Sequence, residues 1–242
     1  MLENREGQLV PEVSFKVFEN GGFKEISTKD LFAKKTVAVF SLPGAFTPTC
    51  SSFHVPRYND LAGVLKENGI DEIVCVSVND TFIMNSWKQD QKAENVTFIP
   101  DGNGEFSEGM GMLVDKSAIG FGKRSWRYSM IVKDSKIEKM FIEEDIAGDP
   151  FKVSDADTML NFLNPNAKKP EYITIFSKEG CSHCVRAKDL LNSKKLAYEE
   201  VLLNDEITNK SLEAVSGNSS TPQIFIGGKL IGTADDLEAY LK

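Results

Sequence analysis

Two groups of residues in this 242-residue chain place sulfur where it can react. The first ends at Cys50, the last residue of Pro43-Gly44-Ala45-Phe46-Thr47-Pro48-Thr49-Cys50. Thr36-Val37-Ala38-Val39-Phe40, a β-branched and aromatic run just before it, predicts a strand buried on both faces and ending at Pro43-Gly44. Thr47-Pro48-Thr49 then predicts a helix start, so Cys50 falls in a first turn among backbone N–H groups with no intrahelical partner. With a cation added, such a position favours the thiolate, the nucleophilic form of sulfur. The second group is Cys181-Ser182-His183-Cys184, also predicted to open a helix. Cys181 is exposed there with Lys178 nearby, while Cys184, one turn on, is better buried and placed to close a disulfide. Four cysteines are too few for a disulfide scaffold of this size, which makes them worked rather than structural and a reducing cytoplasm the default compartment.

Fewer residues qualify as helpers. Thr47 offers a hydroxyl three residues before Cys50, able to donate to a thiolate or to accept a proton, though a plain helix cap is its simpler role. His54 lies one turn after Cys50, close enough to influence it, although a histidine packed at a helix edge is commoner than a catalytic one. Cys75 sits between valines in a predicted strand over 72–78 and is expected to act as a small apolar residue, not as a reactive thiol. Residues 124–132 alternate like a strand and return after Lys133-Asp134-Ser135-Lys136 as 137–142, a hairpin that carries Arg124 and Arg127. The glycine-rich stretch 100–122 holds neither a Walker lysine nor a dinucleotide fingerprint and is read as turns.

The elements that must position these residues follow a strand, helix, strand, helix rhythm. An amphipathic segment over 57–66 follows Pro56 and stops at Asn68-Gly69; a helix capped by Asp80 runs to about 92. The rhythm predicts a parallel sheet with right-handed crossovers and puts 43–50 at the carboxyl end of a strand, where open α/β sheets keep their sites. A helix beginning near Ser154-Asp155 and ending at about Leu163 closes the first domain, 1–163. Asn164-Pro165-Asn166-Ala167-Lys168-Lys169-Pro170 reads as a linker that fully extended spans only about 25 Å. From 171 to 242 the pattern restarts as βαβαββα, with helices over about 181–194, 205–216 and from 235, and a Gly227-Gly228 turn between short strands. A net charge of −8 argues against nucleic-acid or anionic-membrane binding, and no apolar run approaches a membrane span.

The octamer ending at Cys50 resembles the peroxidatic motif of the atypical peroxiredoxins, and residues 171–242, with Cys181-Ser182-His183-Cys184, resemble glutaredoxin over essentially their whole length. The resemblance implies an α/β chain of two thioredoxin-fold domains in tandem. It implies that Cys50 attacks a hydroperoxide, that Arg127 rather than Arg124 lies beside it, and that Cys181 and Cys184 form the redox pair. Glutathione is then the reducing co-substrate, with Lys178, the cis-proline pair Thr221-Pro222, and Ala234-Asp235 at a helix start as its binding residues. No bound cofactor or metal is expected, since a zinc site at Cys181, His183 and Cys184 has no second Cys-x-x-Cys. One departure is Ser182-His183 where glutaredoxins carry Pro and an aromatic; a cationic His183 is expected to make this disulfide more oxidising. Homo-oligomers, dimers or tetramers, are expected by the same likeness; the short linker allows Cys181 to serve Cys50 of its own chain or of a neighbour, and the sequence leaves the two open. The alternatives are a protein-deglutathionylating oxidoreductase and a peroxide-sensing regulator.

Overall fold

The computed structural model describes residues 2–194 and 196–242 and divides into two compact units, residues 1–168 and 169–242. The seam falls late in the expected linker because its first residues pack onto the first unit. Asn164 donates from Nδ2 to Asn68 Oδ1 (2.9 Å), and Ala167 packs against the apolar core.

The first unit opens with a hairpin, β1 (Ser14–Glu19) and β2 (Gly22–Ser27), followed by α1 (Thr28–Phe32), which Ser27 and Asp30 cap reciprocally. After β3 (Thr36–Leu42) comes a π-helical turn over Cys50–His54, then α2 (Val55–Asp60) and α3 (Ala62–Glu67). The chain continues through β4 (Glu72–Ser77), α4 (Thr81–Asp90), β5 (Thr97–Pro100) and α5 (Glu105–Gly109). β6 (Leu113–Asp115), β7 (Lys123–Ser125), β8 (Tyr128–Lys133), β9 (Lys136–Ile142) and α6 (Ala156–Leu163) complete it. The main sheet has the order β5-β4-β3-β8-β9. Its β3, β4 and β5 are mutually parallel, and β8 and β9 are antiparallel, so the sheet is mixed.

Strand alternation divides this sheet between two cores. Val37, Val39, Val74 and Val76 face the side covered by the first hairpin, α1 and α5. Ala38, Phe40, Leu42, Ile73 and Cys75 face the side covered by α2, α3, α4 and α6, and Cys50 belongs to that second core. Burial of both faces explains the unbroken apolar runs in β3 and β4.

The predicted strand over 124–132 is two strands. Arg124 lies in β7, which pairs with β6, while Trp126 and Arg127 interrupt the ladder before β8 begins at Tyr128. Trp126 N donates instead to Met112 O (2.6 Å), and Glu143 N to Arg127 O (3.2 Å). The break frees Arg127 from strand alternation, and its side chain turns into the core at 1 % exposure.

The second unit is the βαβαββα arrangement: β10 (Ile173–Ser177), α7 (Ser182–Ser193), β11 (Glu199–Leu202), α8 (Asn209–Ser216), β12 (Gln223–Ile226), β13 (Lys229–Gly232) and α9 (Ala234–Tyr240). Its sheet order is β11-β10-β12-β13, with β10 and β11 parallel and the other pairs antiparallel. The helix expected from about 205 begins only at Asn209. Asn204 Oδ1 accepts from the backbone N–H groups of Glu206 and Ile207, holding them in a turn, and Thr208 caps α8. Among the described residues no helix is long and apolar enough to cross a membrane.

Candidate active site

Cys50 is set between the end of β3 and α2. Asn79, just beyond β4, fixes the intervening loop by accepting at Oδ1 from Ala45 N (3.0 Å) and Ser77 Oγ (2.7 Å). Ala45 and Phe46 form a turn in which Phe46 takes a φ of 59°, a conformation seldom adopted by a bulky residue. Two residues of helix follow at Pro48 and Thr49, after which the backbone widens: Val55 N–H donates back to Cys50 O, five residues away. This wider turn brings both Cys50 and His54 to zero exposure, facing the same interior.

Arg127 meets them there. Its Nη1 lies 3.4 Å from Cys50 Sγ and 3.1 Å from His54 Nδ1, and its Nη2 pairs with Asp149 Oδ1. The Phe151 ring lies under the guanidinium, 5.5 Å from Cζ, and 5.0 Å from the imidazole. His54 Nε2 is 3.1 Å from the carbonyl oxygen of Ser154. A carbonyl only accepts, so Nε2 carries the proton and Nδ1 presents its lone pair to Arg127. Burial and, after it, the guanidinium push the imidazole's pKa well below its ordinary value, keeping the ring neutral.

Thr47 is half-buried, and its hydroxyl donates to Gly44 O (2.8 Å). Its proton is therefore committed, and in this arrangement Thr47 cannot donate to Cys50 but can still accept. Cys75 is fully buried, and burial, with the nearby Cys50, pushes its thiol well above the ordinary range. Arg124 is turned elsewhere, to Val78 O, with its guanidinium over Phe121.

In the second unit Cys181 is the N-cap of α7 and is joined to Cys184 in a disulfide; its Sγ also accepts from Cys184 N (3.1 Å). Cys181 is half-buried and Cys184 is 1 % exposed. The Thr221-Pro222 peptide is cis, and Thr221 Oγ1 lies 3.6 Å from Cys181 Sγ. Thr233 and Asp236 cap α9 reciprocally, with Asp236 Oδ2 accepting from Thr233 N (2.7 Å) and Oγ1 (2.8 Å). Asp235 therefore has no part in the cap. Its exposed carboxylate pairs with Arg186 of α7, while Ala234 beside it is buried. Lys178 and His183 are exposed at either side of the Cys181 turn. Among the described residues no group of three or more His, Cys, Asp or Glu is placed to hold a metal ion.

Of the residues singled out in the sequence, Cys50, His54 and Arg127 converge on one interior point, and Cys181, Cys184, Thr221 and Pro222 converge on another. Asp149, Phe151, Ser154 and Arg186 escaped the sequence reading. Arg186 falls five residues after Cys181, outside the three- and four-residue spacings that share a helix face, and its partner Asp235 is 49 residues away, so no local signal marks it.

The redoxin family model matches residues 5–160 and the glutaredoxin model residues 173–231. The chain is 59 % identical to the hybrid peroxiredoxin hyPrx5 of Haemophilus influenzae over 99 % of both chains. It is 55 % identical to peroxiredoxin sll1621 of Synechocystis over 58 % of this chain and 77 % of that one. Among solved structures, reduced Prx3 of Vibrio vulnificus in complex with hydrogen peroxide matches with a TM-score of 0.63 and 37 % identity, covering 66 % of this chain and 99 % of that one. The chain belongs to the peroxiredoxins, as a peroxidase whose redoxin domain is followed by a fused glutaredoxin domain.

Proposed function

We propose that this protein is a glutathione-dependent thiol peroxidase in which the glutaredoxin domain recycles the peroxidatic cysteine. The observation that carries the reading is the meeting of Arg127 with Cys50, two buried groups 77 residues apart joined at 3.4 Å. A guanidinium there holds the thiolate and polarises the O–O bond under attack. Arg127 Nε–H, buried and without a partner among the described residues, is a donor left for a peroxide oxygen. Thr47, whose hydroxyl can still accept, takes up the peroxide's own proton as a hydrogen bond.

In the first step Cys50 thiolate attacks the outer oxygen of a hydroperoxide; the O–O bond breaks, Cys50 becomes a sulfenic acid, and the alkoxide or hydroxide leaves as alcohol or water after gaining a proton. Glutathione condenses with the sulfenic acid, releasing water and leaving a mixed disulfide on Cys50. Cys181 thiolate attacks the glutathionyl sulfur and frees Cys50 as thiolate. Cys184 then closes the Cys181–Cys184 disulfide and releases glutathione, and two further glutathiones reduce that disulfide and leave as glutathione disulfide; in the shorter branch a second glutathione attacks the mixed disulfide on Cys181, frees its thiolate and leaves as glutathione disulfide. The sum is one hydroperoxide and two glutathiones giving alcohol or water, a second water and glutathione disulfide.

Glutathione binds beside Cys181. The backbone at Thr221-Pro222 lies next to the sulfur, and the start of α9 at Ala234 offers N–H groups to a carboxylate. Asp235, free of capping duty, takes the ammonium in place of Arg186, and the exposed Lys178, three residues before Cys181, is the nearby cation. The working form is a homo-oligomer in a reducing, cytoplasmic setting, and mixing Cys50→Ser with Cys181→Ser chains tests exchange between subunits through regained activity. Peroxide-dependent oxidation of NADPH through glutathione and glutathione reductase tests the whole reading. Wild type should sustain it, and Cys50→Ser should reduce it to background while leaving the glutaredoxin domain able to reduce a small glutathionyl disulfide. Sustained peroxide turnover in Cys50→Ser would contradict it.

A further inference from the structure

Glu143 sits just past β9 in an acidic run, Glu143-Glu144-Asp145, yet it is only 2 % exposed. One of its carboxylate oxygens, Oε1, accepts from Lys152 N, Val153 N, Ser154 N and Ser154 Oγ, each at 2.8 Å. Its backbone is engaged as well, the N–H with Arg127 O and the carbonyl with Trp126 Nε1 (2.9 Å). One residue is thus bonded both to the arginine segment and to the strap over 149–154.

That strap makes three deliveries to the buried centre. Asp149 meets Arg127 Nη2, Phe151 lies under the guanidinium, and Ser154 O accepts from His54 Nε2 and from Tyr58 OH (3.1 Å each). The last decides the geometry. If Ser154 O were displaced, the imidazole could shift its proton to Nδ1 and would then turn an N–H toward the N–H of Arg127, two donors facing one another. The arginine would have to swing, and Nη1 would lose its line to Cys50 Sγ.

We propose that Glu143 is a positioning residue for the peroxide-reducing centre: by clamping the strap at 152–154 it fixes the tautomer of His54 and, through His54, the aim of Arg127 at Cys50. The proposal rests on Cys50 being the peroxidatic nucleophile. Burial pushes the Glu143 carboxyl up, but the hydrogen bonds from Ser154, Val153 and Lys152 outweigh it and hold the group on the low side of the carboxylate range, so the clamp is anionic at neutral pH.

The chain has only two histidines, so ¹⁵N-histidine NMR of the whole protein resolves His54 from the exposed His183. In wild type His54 should show the pure Nε2–H tautomer. Glu143→Ala should mix the tautomers and slow oxidation of Cys50 by hydrogen peroxide, read by stopped flow, about 10–100-fold. Glu143→Gln keeps an acceptor at Oε1 and should stay within about threefold. Should Glu143→Ala fail to fold, Glu143→Asp, one methylene short of the strap, replaces it. In a His54→Gln background the same change should have little further effect, because a residue acting through His54 is coupled to it. A folded Glu143→Ala with lowered thermal stability but unchanged His54 tautomer and unchanged Cys50 oxidation would overturn the proposal, as would additive losses in the double variant. Failure of the underlying reading looks different: peroxide turnover surviving Cys50→Ser, with the tautomer response to Glu143 still present.

Discussion

The two sulfur sites solve opposite problems. Cys50 has zero exposure and is held chiefly by groups from distant parts of the chain: Arg127 directly, Asp149 through Arg127, and Ser154 through His54, one turn from Cys50. Cys181 is half-buried and held by its own helix, through the N–H of Cys184, with Thr221 reaching in from afar. Under the proposed function, the difference follows from what each must meet. A hydroperoxide presents a small O–O group and reacts with a charge shift that a buried guanidinium stabilises strongly, since surrounding dielectric is low. A glutathionyl disulfide is bulky and must be approached in line from the surface. Reactivity at the first site therefore depends on tertiary packing, and at the second on a local turn.

The comparison is most sharply tested at Arg127. Arg127→Gln should slow the reaction of Cys50 with peroxide by about 10²–10³-fold, the range seen when one preorganised donor is lost, and leave reduction of a small glutathionyl disulfide at Cys181 unchanged. A loss at both sites would show that the two domains are not separable in this way.

A second difference should appear with pH. The unfolded chain takes up a proton on His54 near 6.5, whereas the native ring, held well below that by burial and by Arg127, does not. The unfolded state then binds more protons, so stability rises with pH through this window and is lost as pH falls below about 6.5, by at most about 1.4 kcal/mol per pH unit. Both tryptophans, Trp87 and Trp126, lie in the first unit, so intrinsic fluorescence reads its unfolding selectively. His54→Gln should flatten the slope between about pH 6.5 and 5; an unchanged slope would assign it to other groups.

The smallest effects belong to the exposed pair at the second site. Asp235→Asn should raise the KM for glutathione and Arg186→Ala should lower it, each by no more than about fivefold, because exposed ion pairs are worth little. Movement in the same direction would remove Asp235 from the ammonium site.

The second unit was almost entirely legible in the sequence, because its site is local. Cys181 and Cys184 are one turn apart, Thr221-Pro222 and the α9 cap are short motifs, and the strands carry clear apolar alternation. In the first unit the central strands β3 and β4, the hairpin of β8 and β9, and the position of Cys50 after β3 were legible from local pattern. The first hairpin went unread, although Asn20-Gly21 between alternating residues is a strong hairpin signal, and both take positive φ there (51° and 78°). What composition and period could not show is the strap. Glu143 and Asp149 look like solvated acidic residues, yet Glu143 is 2 % exposed beside the broken ladder at Trp126 and Arg127, and Asp149, itself exposed, pairs with the buried Arg127. His54 was weighed as a packed edge residue; its packing is correct, but its partner, Ser154, is 100 residues away and leaves no local trace.

The passage of oxidising equivalents from Cys50 to Cys181 by way of glutathione is the centre of this account, and a trapping experiment addresses it directly. Reduced Cys181→Ser protein, given one equivalent of hydrogen peroxide and then glutathione, should accumulate a glutathione adduct on Cys50, seen by intact-mass and peptide mass spectrometry, and wild type should not. Absence of the adduct, or a Cys181→Ser chain that cycles with glutathione as fast as wild type, would contradict the relay.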